Sequence, residues 1–228
     1  MSAPTPEHIV PVVQHPTDVL VRARCLAASA LVVFAGGDPE LIERAEDLAD
    51  GVEDRLTPSE RRALAGEALE RAEASRMSWQ TVSADVLLWA LGRRPDPPSG
   101  ERAPDARAVI DNLVEQPEMT ADDQLRPMRE LRDFAREVRA WAWGTRDEQL
   151  VRTTGTTSIQ QPVPDNERLI ADHVDRSPSG EDLHVDGQPL RDIDDERLEQ
   201  IIAINSERLR ASRWLLAEAE WDAIALKV

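Results

Sequence analysis

The chain contains no tyrosine, one cysteine and two phenylalanines, set against six tryptophans. Its one lysine is Lys227, so arginine carries nearly all of the positive charge. A lone cysteine, Cys25, excludes an internal disulfide and any paired-cysteine metal or redox motif. It sits beside the apolar run Leu26 to Ala35 and reads as a small core residue rather than a nucleophile. That run is the longest of its kind and is far too short to span a bilayer. The first residues lack the basic start and apolar stretch of a signal peptide, so a cytoplasmic location is expected. A Gly-rich phosphate loop, an H-E-x-x-H pair and a G-x-S-x-G elbow are all missing. Basic residues are outnumbered, 27 against 44 acidic ones, for a net charge of −17. The footprint that phosphate backbones and anionic membranes require is therefore absent. Neither nucleic acid nor a membrane is an expected partner; a basic protein is.

What is present is helical periodicity. Trp79, Val82, Val86 and Trp89 fall at i, i+3, i+7 and i+10, along one stripe of a helix predicted over Ser75 to Gly92. Leu87, Leu88, Ala90 and Leu91 make its last turns apolar almost all round, as in a helix buried on several sides. Gly92 and Pro95 end it. Before it, Thr17 or Asp18 caps a helix carrying Val19, Leu20, Leu26, Ala30 and Val33, and Asp38-Pro39-Glu40 starts a second. Thr57-Pro58-Ser59-Glu60 is a capping box that starts a third. After the loop Arg93 to Pro104 come a short helix from Asp105 to Glu115 and a long one from Pro127 to Leu150. Asp194 caps a last helix, with Leu198, Ile201, Ile202, Asn205, Leu209 and Leu216 facing inward, and Trp221 and Ile224 form a docked tail.

Residues 1–16 hold four prolines and read as a flexible arm. Residues 148–193 read as a loop-rich insert, with a short helix near Asn166 to His173. Within that insert Leu183-His184-Val185 and Gln188-Pro189-Leu190, joined by Asp186-Gly187, form a hairpin candidate. The expected fold is all-α: a single multi-helix domain over 17–228, with one small β-hairpin in the insert.

Candidate chemistry is sparse. The four histidines lie in loops or the arm at spacings that specify no metal site, and neither a metal nor a cofactor is expected. Arg146-Asp147 follows Trp143 by one turn, so the arginine can stack on the indole and pair with a carboxylate. This makes Trp143, Arg146 and Asp147 either a clamp between helix ends or the polar side of a tryptophan-lined pocket. Asp172, Asp175, Glu181, Asp182, Asp186 and Asp192 concentrate negative charge on the insert, which suits recognition of a basic partner.

Four blocks in order resemble an uncharacterised bacterial family, domain of unknown function 4272. They are Arg24-Cys25-Leu26; Ser78-Trp79 with Leu88-Trp89-Ala90-Leu91-Gly92; Trp143 with Arg146-Asp147; and Glu207-Arg208, Ala211, Trp214-Leu215 and Trp221-Asp222. Where the family tends to have arginine after the first tryptophan, this chain has Gln80. Where it has histidine and asparagine in the last helix, this chain has Leu209 and Arg213. The resemblance implies a helical fold in a bacterial cytoplasm and carries no established activity.

Two functional expectations follow. The first is a non-enzymatic interaction protein, in its sharpest form an immunity-type protein that neutralises a basic partner or toxin. The alternative is a small-ligand-binding protein or enzyme with a tryptophan-lined pocket near Arg146 and Asp147.

Overall fold

The computed structural model describes residues 13–155, 183–218 and 220–221. The fold is all-α with one small antiparallel hairpin. Its helices are α1 (Pro16–Ala35), α2 (Pro39–Ala49), α3 (Pro58–Leu64), α4 (Arg71–Ser78), α5 (Gln80–Ala90), α6 (Ala106–Glu115), α7 (Met128–Thr154) and α8 (Asp195–Leu215). The hairpin pairs β1 (His184–Val185) with β2 (Gln188–Pro189), His184 opposite Pro189 and Val185 opposite Gln188. Asp186 and Gly187 both take positive φ at the turn, as a tight hairpin demands. The helix and tail residues expected near Asn166–His173 and at Ile224 lie outside the described residues.

Helix α5 is the central element. Every residue from Gln80 to Ala90 is buried, with α1 on one side and α8 on another. Helix α1 packs further against α2, α3 and α4, and α7 lies along α8. The main core joins Leu26, Leu87, Leu88, Leu91, Leu113, Leu131 and Phe134. The Trp89 indole sits 4.5 Å from the Phe134 ring, centroid to centroid, and under the Arg126 guanidinium at 5.0 Å. Cys25 is buried against Val52 and Leu56.

The predicted Ser75–Gly92 helix is in fact two helices meeting at Trp79. The Ser78 hydroxyl donates to the Ser75 carbonyl at 2.7 Å, a local bond that competes with the α-helical ladder. The Trp79 and Val82 amides then bond three residues back instead of four, to Arg76 and Trp79. The break leaves Trp79 half-buried at the joint while Trp89 goes into the core. Helix α1 also starts earlier than its predicted caps: Pro16 is its first residue, and the His15 ring accepts from the Thr17 amide. Gln14 just before it donates from both backbone and side chain to the carbonyls of Leu215 and Trp214, tying the start of the described chain to the end of α8. Helix α7 continues to Thr154, four residues past the expected Leu150.

Arginines satisfy many of the helix ends. Arg24 donates to the carbonyls of Leu48 and Asp50 at the close of α2. Arg126 donates to the Trp89, Arg94 and Pro95 carbonyls at the close of α5. Arg152 does the same for Leu190 and Ile193, holding the hairpin segment to α7. Each guanidinium carries enough donors to meet several terminal carbonyls at once. This explains how a chain with almost no lysine uses its positive charge.

Candidate functional site

A cleft of about 1000 Å³ opens between α3, α4, the Trp79 joint and α8. One wall is Ser75, Arg76, Met77 and Trp79; the opposite wall is Ile202, Ala203 and Ser206 of α8; Trp221 stands at one end. Gln80, Glu60, Glu207 and Arg210 also line it, and each of these polar side chains is itself buried. A smaller cavity of about 240 Å³ lies beyond Trp221 and shares Thr57, Pro58 and Trp221 with the first.

Local sequence explains why these groups converge. Gln80 and Ser83 are one turn apart on α5 and face α8. The Ser83 hydroxyl donates to the Glu207 backbone carbonyl at 3.0 Å and to its Oε2 at 2.7 Å. Arg210, one turn further along α8, donates through Nη1 to Glu207 Oε1 at 3.0 Å. Glu60 is the third helical residue of α3 and completes the expected capping box: its Oε2 accepts from the Thr57 amide at 2.8 Å, and Thr57 Oγ1 accepts from the Glu60 amide at 3.3 Å. Its other oxygen pairs with Arg22 of α1. Trp221 lies beside both arginines, 5.0 Å from the Arg22 guanidinium and 5.8 Å from that of Arg210, and edge-on to Trp214 at 6.0 Å.

Burial dominates the electrostatics. It pushes the Glu207 carboxyl above the usual carboxylate range, against the opposing pull of Arg210, Ser83 and Arg76. It pulls Arg210 below the usual guanidinium value; Glu207 and Glu60 oppose this, and the positive charges of Arg76 and Arg22 add to it. Arg210 is thus acted on by all four of the other charges, and Glu207 by Arg210 and Arg76. The Nε atoms of Arg22 and Arg210 and the Oε1 of Gln80 are buried and have no hydrogen-bond partner among the described residues, an arrangement that costs stability where it persists. Trp79 and Trp221 offer apolar area to a guest.

The residues singled out from sequence fall elsewhere. On α7, Trp143 and Asp147 are half-buried and Arg146 is exposed. The nearest α7 residue in the cleft lining is Gln149. Arginine stands over Trp89 and Trp221; Arg146 makes no such contact with Trp143 among the described residues. Of the acidic cluster, Asp172, Asp175, Glu181 and Asp182 lie outside the described residues. Asp186 is exposed, and it pairs with Arg102 and, at 3.2 Å, with Arg197. Its carboxyl is held below the usual range by the Arg102 bond first. Asp192 is exposed, 3.9 Å from Arg191. No three described His, Cys, Asp or Glu residues gather as metal ligands. No described helix is long and apolar enough to cross a membrane.

The cleft residues that sequence reading missed are Gln80, Glu207 and Arg210, with Glu60 read only as a cap. The available signal was weak: a glutamate and an arginine one turn apart at inward positions of α8, Glu207 and Arg210.

Fold and site together define an all-α protein with a tryptophan-flanked cleft over a buried, mixed-charge floor. A family model described as domain of unknown function (DUF4272) matches residues 2–169, and the chain belongs to that family. The match takes in the first three sequence blocks and stops before α8, so Glu207 and Arg210 lie beyond it. No curated protein and no solved structure matches the chain.

Proposed function

We propose that this protein binds a small, partly apolar molecule in the Trp79–Trp221 cleft. The observation that carries the reading is a cavity of ligand size that brings Met77, Trp79, Ile202 and Trp221 together with the polar side chains of Gln80, Glu207 and Arg210. Binding sites of this kind combine apolar area with a few convergent polar groups. The displaced Glu207 carboxyl is a further feature that functional sites show more often than ordinary surfaces. Binding is favoured over nucleophilic chemistry, because the Ser83 hydroxyl lies wholly buried beneath Glu207. The test is a thermal-shift screen of small aromatic and aliphatic compounds, repeated on Ser206→Trp, which fills the cleft with an indole. Hits that stabilise the wild type and lose their effect in the variant support the reading. Hits that stabilise both equally would contradict it.

A second reading keeps the charge of −17 in view. An acidic cytoplasmic protein of this kind suits capture of a basic protein, an immunity-type role included, with residues 148–193 contributing carboxylates. Such association is fast and falls steeply with salt. An association rate that stays flat from low to high ionic strength, for a partner obtained by pull-down, would count against it.

A further inference from the structure

Resting on the small-molecule reading above, we propose that the ligand is an amine, protonated at neutral pH, on an apolar body. The ammonium lies between Glu199 and the Trp79 indole, and the body lies along Met77 and Ile202. Charge pairing around the cleft leads there. Its lining carries three carboxylates, Glu60, Glu199 and Glu207, against two guanidiniums, Arg76 and Arg210. Glu207 pairs with Arg210, and Glu60 pairs with Arg22, which stands outside the lining. Glu199 and Arg76 remain, both exposed and both without an ion-pair partner among the described residues.

A tryptophan decides between the two signs. The face of an indole attracts a cation and repels an anion. Trp221 already has the guanidiniums of Arg22 and Arg210 beside it, whereas no cation stands over Trp79 among the described residues. Trp79 and Ile202 both pack on the cluster that holds Leu198, Ile201 and Ile204, which sets this indole at the Glu199 end of the cleft. Glu199, Ile202, Ala203 and Ser206 follow one another at i, i+3, i+4 and i+7 along one face of α8, so the carboxylate and the apolar wall are one turn apart. Arg210 lies about 16 Å further along the same helix, with Nη1 committed to Glu207 and Nε closed off from solvent. The one free charge that an anion meets is Arg76. A cation meets a free carboxylate, an uncovered indole and the field of a protein whose net charge is −17.

The test uses three probes of similar shape: 2-naphthylmethylammonium, 2-naphthylmethanol and 2-naphthoate. Each is titrated by calorimetry into the full chain and into two variants. Glu199→Gln removes a charge at an exposed position, and Trp79→Leu keeps an apolar side chain without the indole face. The ammonium should bind the wild type about fivefold or more tighter than the alcohol, as a cation on an indole allows, with naphthoate weakest. Glu199→Gln should lower that preference and leave alcohol binding in place. Trp79→Leu should weaken the ammonium by a larger factor than the alcohol. Equal binding of ammonium and alcohol, a preference for naphthoate, an ammonium preference that survives Glu199→Gln intact, or equal losses in Trp79→Leu would overturn the cationic head and leave the cleft as a site. Failure of all three probes to bind the wild type at millimolar concentration would overturn both the head and the cleft.

Discussion

The Ser83 hydroxyl donates to Glu207 Oε2 at 2.7 Å, joining two buried groups 124 positions apart in sequence. With Arg210 on the other oxygen, the carboxyl is held from both sides, and burial still raises its proton affinity. A carboxyl whose folded-state value is raised favours the fold most at a pH below its unfolded value, and that contribution is lost as pH rises through the folded value. Glu207→Gln removes this titration. Its stability relative to wild type should therefore increase between about pH 4 and pH 7 in urea denaturation; a constant or falling difference would contradict the assignment.

The same pair predicts a rescue. Arg210→Ala leaves the Glu207 carboxylate buried without its counter-ion, at a cost of about 3 kcal/mol. Adding Glu207→Gln should recover about 1 kcal/mol or more, because the uncompensated charge is then gone. Strictly additive losses in the double mutant would mean that the two side chains are not coupled.

Trp89 is 4% exposed, packed on Phe134 and capped by Arg126. Trp89→Ala should cost about 3–5 kcal/mol by chemical denaturation. Trp79→Ala, at a half-buried joint, should cost clearly less while diminishing binding of any cleft ligand. Equal losses of stability at the two positions would argue against the different roles given to them.

Gly100 is required by contact rather than by backbone angle. A Cβ there would stand 2.6 Å from Trp141 Cε2 and 2.7 Å from Arg208 Nη1. The Gly100 carbonyl also accepts from Asn205 Nδ2 at 2.8 Å. A rigid indole and a buried, multiply bonded guanidinium yield little, so Gly100→Ala should destabilise by about 1–3 kcal/mol. A melting temperature equal to that of wild type would show that the loop moves away freely.

Burial pushes the Cys25 thiol up to about 11 from its ordinary 9.0. Native protein should react with a thiol-specific disulfide reagent at mildly alkaline pH only as fast as it opens, and at once in denaturant. Because the folded-state value is raised, the stabilising contribution is whole below about pH 9 and is lost as pH rises toward about 11. Rapid labelling of the native state would place this thiol at the surface.

Local pattern was enough to read most of the helices. The Thr57/Glu60 capping box, the Asp194 cap and the Asp186-Gly187 turn depend on residues within a few positions of one another, and all are present, as is the expected burial of Trp89. The break at Trp79 was hidden because a serine hydroxyl and a short-range turn decided it, and the tryptophan stripe runs through it unchanged. The cleft was not legible at all. Glu60, Gln80, Glu207 and Arg210 come from three helices, and each has an innocent local role as a cap or a polar helix residue. Arg146 and Asp147 had the better local pattern, yet α7 turns Arg146 to the surface. Sequence alone determined the helical class, because backbone hydrogen bonding and side-chain periodicity are short-range. Only the tertiary structure decided which charges share a cavity, because burial and Coulomb interaction depend on distance in space, which the packing of α1, α5 and α8 sets.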